Sequence, residues 1–252
     1  MSTWLDPLRR VLDQRTDPTH FFFRDDDAGW NDERLFTLLD VFAPYGMPLD
    51  LAVIPTALTP SLAESLCRRI EGSHGLVGVH QHGYAHVNHQ LEGRKCEFGS
   101  ARNYRAQRND VALGQSRLQQ LLGSYLDSIF TPPWNRCTDS TGSVLAELGF
   151  RILSREHRAP SLEIVGLAEL PVHMDWFAHH KQVRLNREEW CAALTSLLSM
   201  NSEPIGIMFH HALMNDDEME AVDGLLGVLA RSARVKCHNM RDLAGKNKRA
   251  VA

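Results

Sequence analysis

The sequence predicts a single α/β domain folded as a distorted or incomplete (β/α) barrel. Short apolar runs typical of buried strands alternate with stretches of helical periodicity about seven or eight times along the 252 residues. No linker rich in Gly, Pro or Ser divides them. Polar clusters follow three of these strands, at the positions where barrels carry their sites. We expect one domain over 1–252, with its core at about 20–240 and a flexible tail at 245–252.

The first third of the chain shows this alternation clearly. Leu5, Leu8 and Leu12 recur at helical spacing, and the aromatic run at 21–23 is typical of a strand. A proline, Pro55, follows the second apolar run and closes that strand. The predicted elements are helices over 5–12, 32–42 and 61–70 and strands over 21–23, 49–54 and 76–79.

The rest of the chain continues the pattern after a long loop. Residues 88–104 are polar and have no clear period, which is typical of a functional or mobile loop. Asn186 is followed three residues later by Glu189, a helix-start pattern. The predicted elements are helices over 105–122, 139–148, 186–200 and 216–231, strands over 128–130, 150–153, 170–174, 204–209 and 234–237, and a short terminal helix.

Composition and charge indicate which partners the protein binds and in which cell compartment it works. The net charge of −4 gives no electrostatic case for binding nucleic acid or an anionic membrane. No apolar stretch approaches the roughly 20 residues of a membrane span, and the first residues do not resemble a signal peptide. The five cysteines are widely spaced and form no Cys-x-x-Cys motif, which favours reduced thiols. We therefore expect a cytoplasmic protein; a homo-oligomer stays open.

A cluster of histidines follows the predicted strand at 76–79. His80, His82, His86 and His89 fall within ten residues. Imidazole is the commonest metal ligand and the usual acid–base group near neutral pH, so this density indicates a metal or catalytic site. His82 and His86 are four residues apart, and on a helical turn that spacing would place both on one face.

Two further polar clusters follow predicted strands and would reach the same face of a barrel. The first is the triplet 25–27 of aspartates, and the second is the pair His210 and His211. Adjacent carboxylates repel one another, and Arg24 or a divalent metal could neutralise them. One Asp with two His suits Zn²⁺ or a related first-row metal with positions left open for water. Alternatively, the aspartates could cap the following helix.

These clusters, taken in order, resemble the motifs of the polysaccharide deacetylase family (the NodB-homology domain). The matching segments are 23–29, 82–86, 131–135 and 205–210, for the family patterns Thr-Phe-Asp-Asp-Gly, His-[Ser/Thr]-x-x-His, Arg-x-Pro-Tyr and Leu-x-Leu-x-His. The match in order and spread covers about 20–211. The resemblance implies a distorted (β/α)7-type barrel. The chain departs from the pattern at Gly83, where Ser or Thr is usual, and at Thr131, where the family has arginine.

Carried over to this sequence, the resemblance implies a role for each matching residue. The implied metal ligands are Asp27, His82 and His86; the general base is Asp26; the general acid is His210; and the substrate-binding residues are Arg24, Pro133 and Trp134. The register of the aspartate triplet stays open, and so does the choice between His210 and His211. Arg24 or Arg136 could replace the missing family arginine. On the long loop, Glu97 is a candidate substrate contact or simply a solvated residue.

The resemblance predicts a metal-dependent hydrolase of amide C–N bonds that deacetylates an N-acetylated sugar or a related N-acyl small molecule. It implies one divalent ion, with Zn²⁺ first and Co²⁺, Ni²⁺, Fe²⁺ or Mn²⁺ as alternatives. The partner would be a small-molecule or glycan N-acyl substrate. The alternative is a catalytically inactive deacetylase-like protein that binds a glycan or a metal. The sequence carries no Gly-x-Ser-x-Gly elbow, phosphate loop or dinucleotide fingerprint.

Overall fold

The computed structural model describes residues 3–181, 183–200 and 204–243. The strands are β1 (Thr19–Ala28), β2 (Leu49–Val53), β3 (Val77–His82), β4 (Leu126–Thr131), β5 (Ile152–Leu153), β6 (Ala168–Glu169), β7 (Met174–Asp175), β8 (His179–His180), β9 (Val183–Arg184), β10 (Ile205–Phe209) and β11 (Val235–Cys237). The helices are α1 (Asp6–Gln14), α2 (Asp32–Phe42), α3 (Pro60–Gly72), α4 (Tyr104–Leu122), α5 (Asp139–Glu147), α6 (Arg187–Met200), α7 (Asp216–Arg231) and α8 (Met240–Leu243).

The main sheet is parallel and curled, with the strand order β6-β5-β4-β3-β2-β1-β10-β7, and β11 pairs beside β1. The segment 168–176 links its two edges. Near its start, the backbone N of Leu170 donates to the carbonyl of Leu153; at its end, Trp176 N donates to Met208 O. The predicted α/β fold with an incomplete, distorted barrel is confirmed.

Side chains of β1 alternate between the two faces of this sheet. Phe21 and Phe23 pack outward into the large core formed with the surrounding helices. Phe22 points the other way, into a smaller cluster inside the curled sheet that includes Met208 and Met240 of α8. The short helix α8 therefore closes the sheet at the amino ends of its strands, and the carboxyl ends are left for a site.

Several sequence expectations need correction. β1 extends to Ala28, so the aspartate triplet lies within the strand rather than after it. The strand expected at 170–174 is replaced by β6 and β7, and the hairpin of β8 and β9 was not predicted. The expected tail at 245–252 lies outside the described residues. Among the helices of the described ranges, none is long and apolar enough to cross a membrane.

Candidate metal centre

Three potential metal ligands meet at the carboxyl ends of the strands. The ligand atoms of Asp27, His82 and His86 all lie within 4.8 Å of one another. Asp27 Oδ1 is 3.2 Å from Nε2 of each histidine. The structure thus brings together the three residues that the resemblance implies as ligands, although their role as ligands stays a prediction.

A break in the regular geometry of β1 brings Asp27 to this point. Strict alternation would place Asp25 and Asp27 on the same outer face. The pairing of β1 with β2 changes register between Asp25 and Ala28, and Asp27 has a left-handed φ of 69°. Such a conformation is costly for a residue with a side chain and is concentrated at functional sites. The irregularity turns the Asp27 carboxylate toward the histidines.

The two histidines reach the centre by different routes, and the segment between them is a loop and not a helical turn. His82 is the last residue of β3, whereas His86 lies in the following loop with a φ of 56°. His82 Nδ1 donates to the carbonyl of Thr131 at 3.0 Å. Because Nδ1 carries this proton, Nε2 is the nitrogen that faces Asp27, the arrangement found for histidine ligands.

Glu97 holds the loop that carries His86. Its buried carboxylate accepts the backbone N–H of Ala85 at 2.8 Å and of Tyr84 at 3.2 Å. Glu97 also explains Gly83, because a Cβ there would lie 2.2 Å from Glu97 Oε2 and 2.5 Å from the ring of Pro133. Glu97 therefore supports the loop and has no free carboxylate to offer a substrate.

The predicted base, Asp26, is paired with Arg24 inside the sheet. Arg24 Nε and NH2 donate to the two carboxylate oxygens at 2.7 and 2.9 Å, a two-pronged contact. Burial raises the pKa of Asp26, but the charges of Arg24, His82 and His210 outweigh burial and hold this pKa below its ordinary value. Asp26 is therefore a buried, ionised carboxylate.

Arg24 contacts Asp26, as expected of a residue that replaces the missing family arginine. Its NH1 donates to Ser154 Oγ and its NH2 to Asn135 Oδ1, both at 2.7 Å. The side chain is fully buried, so it lies behind Asp26 and has no surface to offer a substrate. The substrate-binding role expected of Arg24 stays a prediction, and its burial favours a role behind Asp26 instead. Arg136 donates to the carbonyl of Lys95 instead.

The adjacent histidines 210 and 211 differ sharply in their surroundings. His211 is fully buried, with Nδ1 2.6 Å from Asp25 Oδ2 and Nε2 2.6 Å from the carbonyl of Trp30. Burial lowers the pKa of His211, but the Asp25 carboxylate outweighs it and raises the value to about 9. Both nitrogens are thus engaged as donors, which leaves His211 unavailable for a substrate.

His210 is the histidine that faces open space. Its side chain is 23% exposed, and its Nδ1 lies 3.9 Å from Asp175 Oδ1. The charge of His210 lowers the pKa of both Asp26 and Asp27, so it lies within electrostatic reach of the centre. The geometry favours His210 over His211 as the acid, a role that stays a prediction.

Pro133 and Trp134, both predicted to line the substrate pocket, lie on the segment after β4. The ring of Trp134 packs against His86, with centroids 4.5 Å apart, and Pro133 is buried under Gly83. Trp134 and Asn135 have left-handed φ values of 57° and 58°. Left-handed backbone therefore occurs at His86 itself and on the segment that packs against it. Trp134 forms a wall of the centre.

The donor set fits a divalent cation. One carboxylate and two imidazoles are ligands that Zn²⁺ and neighbouring first-row metals accept. Burial raises the pKa of Asp27, but the hydrogen bond and charge of His82 lower it to about 2, so the carboxylate is ionised as a ligand must be.

Several residues around the centre were missed or left undecided by the sequence interpretation. Asn135 and Ser154 hold Arg24, and Asp25 holds His211. The period-2 pattern of β1 could have separated Asp25 from Asp26. His80, part of an H-x-H motif, is buried with Nε2 2.9 Å from Thr131 Oγ1. Burial and Arg24 lower the pKa of His80 to about 3, so it stays neutral beside Asp26.

Comparison with known proteins finds matches in structure but none in sequence. No protein-family profile matches the sequence, and no curated protein matches it either. A Mycobacterium smegmatis protein named as a polysaccharide deacetylase has 15% identity and a TM-score of 0.69, covering 92% of this chain and 91% of its own. The chain has the polysaccharide deacetylase fold. The resemblance seen in the motifs is confirmed at this level.

Two further solved structures show how widely the deacetylase fold is used. A family 4 acetyl xylan esterase from Clostridium thermocellum, solved with a cobalt ion, has 14% identity and a TM-score of 0.57, covering 88% of this chain and 89% of its own. A mutant of a pseudoenzyme of the CE4 family has 12% identity and a TM-score of 0.55, covering 90% of this chain and 67% of its own. The fold therefore occurs in an esterase and in a pseudoenzyme, and the activity must be argued from the site.

Proposed function

We propose that this protein is a metal-dependent hydrolase that removes an acyl group, acetyl foremost, from the nitrogen of a sugar or a related small molecule. The observation that carries the proposal is the convergence of Asp27, His82 and His86 beside Asp26, a carboxylate held ionised by Arg24. Neighbours with this fold include an acetyl xylan esterase solved with cobalt. A merely structural site would not need strained backbone at two of its three donors.

The residues divide the chemistry of amide hydrolysis between them. Asp27, His82 and His86 would hold the divalent ion, which supplies a Lewis acid and lowers the pKa of water. Asp26 would take a proton from the attacking water, and Arg24 fixes its orientation for that task. His210 would give a proton to the departing nitrogen, because an amine leaves readily only when protonated. Trp134 would shield one side of the acyl group.

The alternative is an inactive protein that binds a glycan or a metal with the same fold. The presence of a pseudoenzyme among the structural neighbours is the observation that favours this alternative. The ionised, buried Asp26 favours the enzyme, because keeping such a carboxylate in place requires a dedicated arginine and has no use in metal binding alone.

The test measures metal content and acid release on the same samples. The wild type, loaded with Zn²⁺ or Co²⁺, is incubated with a panel of N-acetylated mono- and oligosaccharides and the released acetate is measured. We expect Asp26→Asn to keep about one ion per chain but lose on the order of 10²–10⁴ in rate. His82→Ala should lose both the ion and the activity.

His89→Ala is the matched control, because His89 belongs to the same histidine cluster yet lies outside the group of three ligands. It should keep both ion and rate. A wild type that binds one ion and releases no acid from any member of the panel would favour the binding protein. A wild type that binds no ion after loading would contradict the proposed function itself.

A further inference from the structure

A cavity of about 390 Å³ lies beside the segment that follows Trp134 and is lined by four arginines. Arg94, Arg136, Arg155 and Arg158 all face it, and the acidic residue in its lining is Glu156. The chain as a whole carries a net charge of −4, so this local excess of positive charge is not a reflection of overall composition. A concave surface lined by one sign of charge concentrates ligands of the opposite sign.

Two residues, Asn135 and Arg24, connect the cavity to the candidate base by hydrogen bonds. Asn135 lines the cavity, and its Oδ1 accepts a hydrogen bond of 2.7 Å from Arg24, which in turn pairs with Asp26. Arg136 directly follows Asn135, on the same segment as Trp134. Trp134 packs against His86, so this segment borders both the metal centre and the cavity, and a substrate that spans it places one group at each.

The arginines are not fully satisfied by protein groups. Arg155 is only 5% exposed and uses NH2 for Glu169 at 2.5 Å and the carbonyl of Pro160 at 2.9 Å, yet its Nε is buried without a partner among the described residues. Arg136 donates from NH1 to Lys95 O at 2.8 Å, and its buried Nε also finds no acceptor within the described ranges. Buried donors are normally paired, so these two arginines carry more N–H donors than the surrounding protein acceptors satisfy.

The charges facing the cavity do not cancel. Arg94 approaches Glu156 only to 4.0 Å, and both side chains are substantially exposed. Glu169 neutralises Arg155 from the side. Burial, together with the nearby charge of Arg94, lowers the pKa of Arg136 below its ordinary value. Four guanidinium groups thus face two carboxylates, and an added anion would relieve the repulsion between the arginines.

We propose that this arginine-lined cavity binds an anionic group, a carboxylate or a phosphate, carried by the N-acylated substrate. Guanidinium groups present planar pairs of donors that match both anions, which a neutral sugar cannot exploit to the same degree. An anion bound here would hold the substrate along the segment 134–136, which borders the metal centre at His86. This inference rests on the proposed function and narrows its substrate class.

The experiment compares three probes that share an N-acetyl group. These are neutral N-acetylglucosamine, N-acetylglucosamine 6-phosphate and the carboxylate-bearing N-acetylmuramic acid. For the metal-loaded wild type we expect kcat/KM at least about tenfold higher for one charged probe than for the neutral one, the scale of one charge-assisted hydrogen bond. The better of the two charged probes distinguishes phosphate from carboxylate.

The variant Arg94→Gln/Arg158→Gln changes the two exposed arginines, so the fold is preserved. We expect KM for the preferred charged probe to rise about tenfold or more, with kcat and the neutral probe within about twofold. The double variant Arg10→Gln/Arg105→Gln removes two exposed arginines that do not line the cavity and is the matched control. Equal KM values for charged and neutral probes in the wild type would overturn the inference, as would equal losses for both probes in the variant.

Binding to His82→Ala, which should not turn over substrate, separates this inference from the proposed function. Titration calorimetry with each of the two charged probes should show, for at least one of them, binding that adding Arg94→Gln/Arg158→Gln weakens about tenfold. If no probe is hydrolysed by the wild type but this binding and its loss are observed, the proposed hydrolase fails and the anion site stands. If hydrolysis proceeds without any preference for charge, the hydrolase stands and the anion site fails.

Discussion

Each end of the curled sheet buries a carboxyl group, and the pKa of the group is lowered at one end and raised at the other. At the carboxyl ends of the strands, Asp26 is gripped by Arg24, and its pKa lies below the ordinary value despite burial. At the amino ends, Asp50 is equally buried and accepts the backbone N–H of Met240 at 2.9 Å. Burial raises the pKa of Asp50 to about 7, with the charge of Asp127 adding to it.

The difference shows that burial alone does not decide the state of a carboxyl group. Desolvation raises the pKa of both groups, and only a fixed cation in contact reverses this effect. Asp26 has such a cation and faces the metal centre. Within the described ranges no guanidinium donates to Asp50, because Arg241 donates to Asp127 instead. Asp50 holds the start of α8 through the backbone N–H of Met240. Asp26 is thus kept ionised beside the metal centre, whereas the pKa of Asp50 is raised to about 7.

The largest expected effect comes from removing Arg24, the cation that pairs with Asp26 and has no counterpart at Asp50 in the described part of the chain. Arg24→Gln leaves Asp26 buried without a counter-charge, which should lower the free energy of unfolding by about 3–5 kcal/mol. The rate of acid release should fall by on the order of 10²-fold, because the base is no longer ionised and oriented near neutral pH. Urea denaturation and a pH–rate profile measure both.

The double variant Arg24→Gln/Asp26→Asn is the check on this cause. It should recover much of the lost stability, because no unpaired charge remains, while staying inactive. Arg241→Gln removes a cation at the opposite end and should leave turnover near the wild-type value. A stable and fully active Arg24→Gln protein would contradict the positioning role of Arg24.

A smaller effect is expected at Asp50, where burial raises the pKa of the carboxyl group instead of leaving it lowered as at Asp26. Its folded-state pKa of about 7 lies above the unfolded value of about 3.8, so the stability it contributes is present at low pH and is lost as pH rises through 7. Relative to Asp50→Asn, the wild type should lose roughly 2–4 kcal/mol of unfolding free energy between pH 4 and pH 8. Urea denaturation over this range measures the difference.

Asp26→Asn supplies the contrast in the same experiment. Because the pKa of Asp26 is lowered, its contribution to stability is present above the unfolded value and is lost only in acid. The difference between the wild type and Asp26→Asn should therefore stay nearly constant from pH 5 to pH 8. Parallel pH dependences for the two variants would mean that the two carboxyl groups are not in opposite states.

The smallest effect concerns Gly83, next to the candidate ligand His82. Restoring the family hydroxyl with Gly83→Ser should destabilise the protein by about 1–3 kcal/mol, because φ is 54° and a Cβ would meet Glu97 and Pro133. Metal affinity should fall with it, since Glu97 holds the loop of His86. Thermal unfolding and metal titration measure these losses.

Gly93→Ser is the control for the backbone part of this loss. Gly93 also has a positive φ, 80°, but nothing lies within 4 Å of its added Cβ. It should cost less stability and leave metal affinity unchanged. If Gly83→Ser binds metal better than the wild type, the close packing of this loop has been misjudged.

Much of the fold and part of the site could be predicted from the sequence, because both rest on local patterns. The aromatic run in β1, the glycine-bounded β3 and the leucines of α1 have periodicities that burial imposes on any strand or helix. His82 and Asp27 follow from the density of ligand-type residues at strand ends. The extent of β1 could not be predicted, because three successive aspartates are typical of a loop and not of a buried strand. The path of 168–176 could not be predicted either, because strands of two residues are too short to show a period.

The sequence by itself determined that ligand-type residues gather at the carboxyl ends of parallel strands, because chain order and strand direction are enough to place them there. Only the tertiary structure decided which member of each cluster faces the centre. A left-handed turn at Asp27, the burial of His211 against Asp25 and the pairing of Arg24 with Asp26 each depend on contacts between distant strands. Such contacts select one rotamer and one face among neighbours that look equivalent along the chain.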